Sequence, residues 1–245
     1  MESGKQLLMT MTGEMHQPIR LYYEVSDQAA VLQAFTKLRC LDDDQDNHRW
    51  VWLYQGEAKK LKFHKSYSAI PRQMRPIVLG VFRFPSAQEM TLDVRSWERA
   101  THAVVFFDRY LKRSIARVTH AAIVNRLFPY TTDGLPALEG LFAQVTTIDG
   151  EAILRSMAAS LQTIQEPAQR MDMAFALMEH QCHAQLPAVE KFPVHFYEDG
   201  ITSLENALRL RQIVAFEHWR GHTTCTLGEV IHKVTAGVSA VDLAP

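Results

Sequence analysis

The sequence predicts an α+β protein in which a mostly antiparallel N-terminal sheet is covered by one long helix and followed by an α-helical C-terminal half. Three observations carry this reading. Before residue 95 the apolar residues alternate in short runs with the period of a strand. Between Ser96 and Phe128 there is neither Pro nor Gly, and heptad-spaced series through Trp97, Val104, Leu111, Val118 and Asn125 and through Ala100, Phe107, Ser114, Ala121 and Phe128 give a mostly apolar stripe, so the stretch predicts a single helix. After Pro129 the spacing is helical only, and prolines interrupt it. The 245 residues, 47% of them hydrophobic, suffice for one large domain or two small ones. The expected layers are a sheet region at 1–95 and a helical region at 96–245 packed on it, and a ferredoxin-like arrangement is among the layouts this order allows.

Taken in order, residues 1–16 are polar and Met-rich and predict a frayed tail. Ile19, Leu21, Tyr23 and Val25 share one face of a first strand. Ser26 and Asp27 are N-cap residues for a helix whose apolar side is Ala30, Val31, Ala34, Phe35 and Leu38. The acidic run Asp42–Asn47 predicts a solvated loop. It lacks the Gly and Glu that a calcium loop requires, since Asn47 and Leu53 stand at those places. Arg49–Gln55 predicts a strand with Trp50, Trp52 and Tyr54 on one face, Lys59–His64 its neighbour, and Ile77–Phe84 with Glu89–Val94 a hairpin turning at Pro85–Ala87. In the C-terminal half, helices are expected from Gly150, from Pro167, from a capping box at Thr202 and Glu205, and from a second box at Thr226 and Glu229, with Phe192–Gly200 as a connection.

The net charge of −1 conceals an asymmetry: Arg49–Arg126 holds 15 Lys and Arg against 5 Asp and Glu. Such a basic middle either meets an anionic partner or docks on the acidic C-terminal part of the same chain. Off the predicted stripe, Arg99, Arg109, Lys112, Arg113 and Arg126 define a basic helix face, and Lys59, Lys60 and Lys62 add to it from the preceding segment. Aromatic residues interleave with these charges, as on RNA-binding sheets, but the same aromatics are needed as core beneath a covering helix. Three cysteines without a CxxC pair point to a reducing compartment, and no apolar run reaches the ~18–20 residues of a membrane span.

Chemistry-bearing motifs are few. There is no GxSxG, no phosphate-cradling glycine loop and no HExxH. The one suggestive constellation is a pair of histidine pairs, His180 with His183 and His218 with His222, each spaced to share a helix face and able to hold zinc or iron if the helices are neighbours. The competing assignment is that they are helix-terminal histidines near C-terminal carbonyls. The sequence therefore predicts a soluble, cytoplasmic, non-catalytic binding or assembly factor without a cofactor. Its basic face at about 59–75 and 99–126 would engage an acidic protein partner or RNA. A metal-dependent enzyme with a histidine site in the C-terminal half is the alternative.

Overall fold

The computed structural model describes residues 6–131 and 138–236, with the backbone alone for residues 139, 151, 154 and 178–182. The first strand, β1 (Ile19–Val25), leads through α1 (Gln28–Phe35) to β2 (Leu41–Asp44) and β3 (Arg49–Leu53). A long loop then reaches the hairpin β4 (Val78–Ser86) and β5 (Glu89–Val94), which feeds α2 (Trp97–Asp108) and β6 (Ala116–Val124). The remainder comprises α3 (Leu138–Leu141), β7 (Thr146–Thr147), α4 (Gly150–Gln162), α5 (Pro167–His183), β8 (Val189–Pro193), α6 (Phe196–Asp199), α7 (Ile201–Trp219) and α8 (Leu227–Thr235).

Among the described residues these strands form one sheet in the order β2-β3-β4-β5-β1-β6-β8-β7, antiparallel throughout except for β7 against β8. Its centre, β4-β5-β1-β6, has β5 lying between β1 and β4, which the chain joins through α1 and the inserted β2–β3 hairpin, and β1 lying between β5 and β6, which α2 connects. Two interleaved βαβ units of this kind make a ferredoxin-like core. The β2–β3 hairpin widens it at one edge, and β8 with β7 at the other.

The core follows from strand alternation. Ile19, Leu21, Tyr23 and Val25 all turn to the helix-bearing face and are buried. On the same face, Trp50 lies opposite Phe82. The Phe82 ring stands perpendicular to Phe107 of α2 at 4.8 Å and 4.8 Å from Phe35 of α1, while Trp52 meets Phe107 at 5.2 Å. The strand aromatics are thus core under the helices. The backbones crowd so closely there that a Cβ on Gly80 would come within 2.9 Å of the Asp93 carbonyl oxygen, so no larger residue fits. Helix α7 packs on α2, where the Trp97 indole donates to Gln212 at 3.0 Å, and it is tied to the sheet by Arg211 on the buried Glu190 at 2.7 Å.

Several local expectations are realised. Asp27 caps α1, accepting from the Ala30 amide at 2.9 Å; Pro167 opens α5; Thr226 caps α8 through the Glu229 amide at 3.3 Å. Others are corrected. The helix expected over 96–128 stops at Asp108, and its second half is strand β6. This half contains Val118, Thr119, Ile123 and Val124, β-branched residues that suit a strand, and because β6 is covered on both faces at its C-terminal end its apolar residues run on without alternating. Periodicity cannot separate such a run from a buried helix. Strands β6, β8 and β7 also carry the sheet past residue 95, so the expected division does not separate sheet from helix. Strand β8 was hidden by its composition: Glu190 and Lys191 interrupt the apolar pattern, yet Glu190 is buried against Arg211 and Asn125. Part of the acidic run is strand β2, paired with β3; Lys59–His64 is a 3₁₀ turn and loop; and α7 begins after Gly200, one residue before the expected Thr202 cap.

Candidate functional site

The residues expected on one basic face go to three different places. Arg99 is inside, 1% exposed. Its amide is capped by Ser96 at 3.2 Å, and its guanidinium donates to the Val78 carbonyl at 3.1 Å and the Thr12 hydroxyl at 2.7 Å. Glu14, fully buried 3.7 Å away, supplies the counter-charge, and its carboxylate accepts from the hydroxyls of Thr10 and Thr12, the latter at 2.6 Å. A buried guanidinium tolerates desolvation only with such a partner. Burial is the dominant effect on Arg99 and holds its pKa down to about 10 even so.

This pair organises the described part of the N-terminal segment: residues 6–16 of the expected frayed tail are ordered, and residues 1–5 lie outside the described residues. Residues 10–14 form a turn in which Gly13 has φ of +95°, a conformation that side-chain-bearing residues rarely adopt. A Cβ at Gly13 would also press within 3.0 Å of His64. The turn touches the loop between β3 and β4 because the Lys65 amide donates to the Thr12 carbonyl at 2.7 Å.

That loop carries Lys59, Lys60, Lys62 and Lys65, all exposed, and residues 58–88 contain seven Lys and Arg and no Asp or Glu. The loop is held from beneath. His102 of α2 donates through Nε2 to the Lys62 carbonyl at 2.8 Å, and Phe63 meets the His102 ring at 5.1 Å. Tyr54 stands edge-on to Phe63 at 5.1 Å and to Tyr67 at 5.4 Å, and its hydroxyl donates to the Leu61 carbonyl at 2.9 Å. The Tyr67 ring receives Lys59 at 4.6 Å and Arg75 at 4.3 Å. Residues of this loop line a groove of about 500 Å³ bounded by Lys59, Lys60, Lys62 and Tyr67.

Arg109, Lys112 and Arg113 lie at the far end of the sheet, in the turn between α2 and β6. Arg113 is bound bidentately by Asp108 at 3.0 and 2.9 Å and covers the Tyr197 ring at 4.8 Å. Lys112 lines a groove with Lys37 and Glu57, and Arg109 is exposed. Arg126 follows the other end of β6, about 26 Å away at the ordinary rise of a strand, and lies over the Phe128 ring at 4.9 Å. Strand register places this second end beside Arg95 and the 59–75 loop, since Gly80 pairs with Val94, Val94 with Ile19 and Ile19 with Ile123.

The sequence alone did not single out His16, Arg49, Arg95 or Tyr130, which line a cleft of about 580 Å³ at this same end. His16 is 3% exposed, with both ring nitrogens unpartnered and its ring edge-on to Phe128 at 5.7 Å. Burial, followed by the charge of Arg95, holds its pKa down to about 4, so the imidazole is neutral at pH 7. The only signal of an ordered site was the Thr10-Met11-Thr12-Gly13-Glu14 run, whose hydroxyls and glycine are turn chemistry.

The C-terminal histidines are differently placed. His218 donates to the Cys225 carbonyl at 2.8 Å, and His222 donates to Glu217 at 2.6 Å just after Gly221, which has φ of +98° and ends α7. The bond from His222 lowers the Glu217 pKa. His183 is exposed on α5, and the side chain of His180 lies outside the described residues. Among the described residues no three His, Cys, Asp or Glu side chains are grouped to hold a metal, and no helix is long and apolar enough to cross a membrane. No family model, curated protein or solved structure matches this chain.

Proposed function

We propose that this chain is a non-catalytic binding module for single-stranded RNA, with the β3–β4 loop as its contact surface. The carrying observation is that the acid-free segment 58–88 presents Lys59, Lys60, Lys62 and Lys65 to solvent from a loop fixed on Tyr54, Phe63 and His102. The neighbouring acids are engaged elsewhere, Glu57 by Arg39 at 3.2 Å and Glu98 by His64 at 3.9 Å, so the exposed lysines can neutralise a phosphate backbone, and a loop already ordered loses little entropy when it binds. Both an acidic protein and RNA were expected partners of the basic middle. RNA is favoured because exposed aromatic surface, Tyr130 at 61%, adjoins the same end of the sheet, and bases stack on such rings.

The residue set changes accordingly. Arg99 supports the surface from inside, and Arg109, Lys112 and Arg113 belong to the opposite end. Fluorescence anisotropy with a labelled single-stranded RNA, repeated across a salt series, tests the reading. Four to five phosphate contacts give a slope of log K against log salt of roughly −3. A slope near zero, or nuclease-resistant capture of an acidic protein with no RNA affinity, overturns it.

A further inference from the structure

We infer that the cleft bounded by Thr10, His16, Arg49, Arg95, Arg99 and Tyr130 is a nucleotide subsite: it takes one phosphodiester group at Arg95 and His16 and one flanking base on Tyr130. The inference rests on the RNA-binding reading and deepens it. The cleft opens on the sheet face turned away from α1 and α2, because Trp50, Trp52 and Phe82 point toward those helices whereas Arg49, Val51 and Val81 line the cleft. Its volume of about 580 Å³ falls within the range of about 300–1,000 Å³ common to small-ligand sites.

The charge inventory selects the ligand. Arg49 is neutralised by Asp44 at 2.6 Å and Arg99 by Glu14 at 3.7 Å, whereas Arg95 has no acidic partner among the described residues. His16 contributes no charge. The cleft therefore presents a single uncompensated positive charge, which matches the single negative charge of a phosphodiester. A neutral imidazole with both nitrogens free supplies one donor at a buried position where an unmet polar group is costly. Tyr130, Met9, Met11 and Met74 leave aromatic and thioether surface exposed around the same cleft, suited to the flat, polarisable face of a base rather than to a bare anion. The segment leading into β4 joins the two surfaces: Lys59, Lys62 and Ser68 line the lysine groove, and Met74, Pro76 and Val78 line the cleft. One strand can thus run from the loop to the subsite.

The test uses the full chain with two probes, a single-stranded RNA and the uridine dinucleotide UpU. Arg95 and Tyr130 are exposed, so Arg95→Ala and Tyr130→Ala are expected to leave the melting temperature unchanged. Arg95→Ala should lower the salt slope for RNA by about 0.7, and Tyr130→Ala should weaken RNA binding roughly five- to hundredfold without altering the slope. UpU should shift the His16 ring resonances, identified by their loss in His16→Gln. If RNA binds with its steep salt dependence while both variants match wild type and UpU leaves His16 unmoved, the subsite is overturned and the loop reading survives. If UpU moves His16 and requires Arg95 while longer RNA gains nothing from the lysine loop, the subsite stands and the loop reading falls. If polyglutamate moves His16 and UpU does not, the ligand class assigned here is wrong.

Discussion

The two ends of the sheet are both basic and differ in how far their cations are compensated by acids of the same chain. At the α2–β6 turn, Arg113 is held by Asp108, and Arg117 lies near Glu198 at 3.9 Å, so much of the charge is spent inside the molecule. At the other end, Lys59, Lys60, Lys62 and Lys65 face solvent above a segment without acids. The difference teaches that a count of basic residues along the chain does not measure a field. What matters is which cations find acids when the strands pair, and β6 separates the two groups by its own length.

The largest expected effect breaks the comparison at its base. Arg99→Ala leaves Glu14 buried without a counter-charge and should destabilise the fold by about 3–5 kcal/mol. Arg109→Ala, on the exposed turn, should change stability by no more than ~0.5 kcal/mol. Chemical denaturation midpoints decide this, and similar shifts for the two variants would remove the distinction between an internal and an external arginine.

The next effect concerns pH. Because the folded pKa of His16 is lowered from 6.5 to about 4, the unfolded chain takes up the proton first as pH falls. The stability linked to this histidine is therefore complete above about pH 6.5, declines progressively through the interval, and is reduced by about 3 kcal/mol once the pH is below the folded value. The groups acting on the ring are Arg95 and Arg99, with the Phe128 edge packed against it. Unfolding free energies of wild type and His16→Gln across that range should diverge with this sign; parallel curves would mean that the imidazole is not desolvated.

The smallest effect sharpens the comparison directly. Reversing Lys60 and Lys62 to Glu should weaken RNA binding and reduce the magnitude of the salt slope by about 1.4, the share of two phosphate contacts. The same reversal at Lys112 and Arg113, which also removes the Asp108 pairing, should leave RNA binding within twofold. Equal losses of binding from the two double variants would show that the ends act as one surface.

What was legible in the amino-acid order was local chemistry. The alternation of Ile19, Leu21, Tyr23 and Val25, the Asp27 and Thr226 caps, Pro167 at a helix start and the β4–β5 hairpin all depend on residues within a few positions of one another, so the α+β class and most N-terminal elements could be read directly. The basic character of 59–75 was equally plain. Where the cations would point was not, since Arg99 and Arg109 look alike until Glu14, more than eighty residues away from Arg99 in the chain, is folded beneath one of them.

Tertiary structure decided the rest, for one physical reason. Burial on two sides erases the periodicity that distinguishes strand from helix, as in β6, and a paired buried charge disguises a strand, as Glu190 does in β8. The site followed the same rule: a Met-rich N-terminus became a wall of the cleft because Thr10, Thr12 and Glu14 found Arg99, and burial in that wall lowers the His16 pKa. Sequence alone determined the fold class and the sign of the charge; long-range pairing determined which charges remained free to meet a ligand.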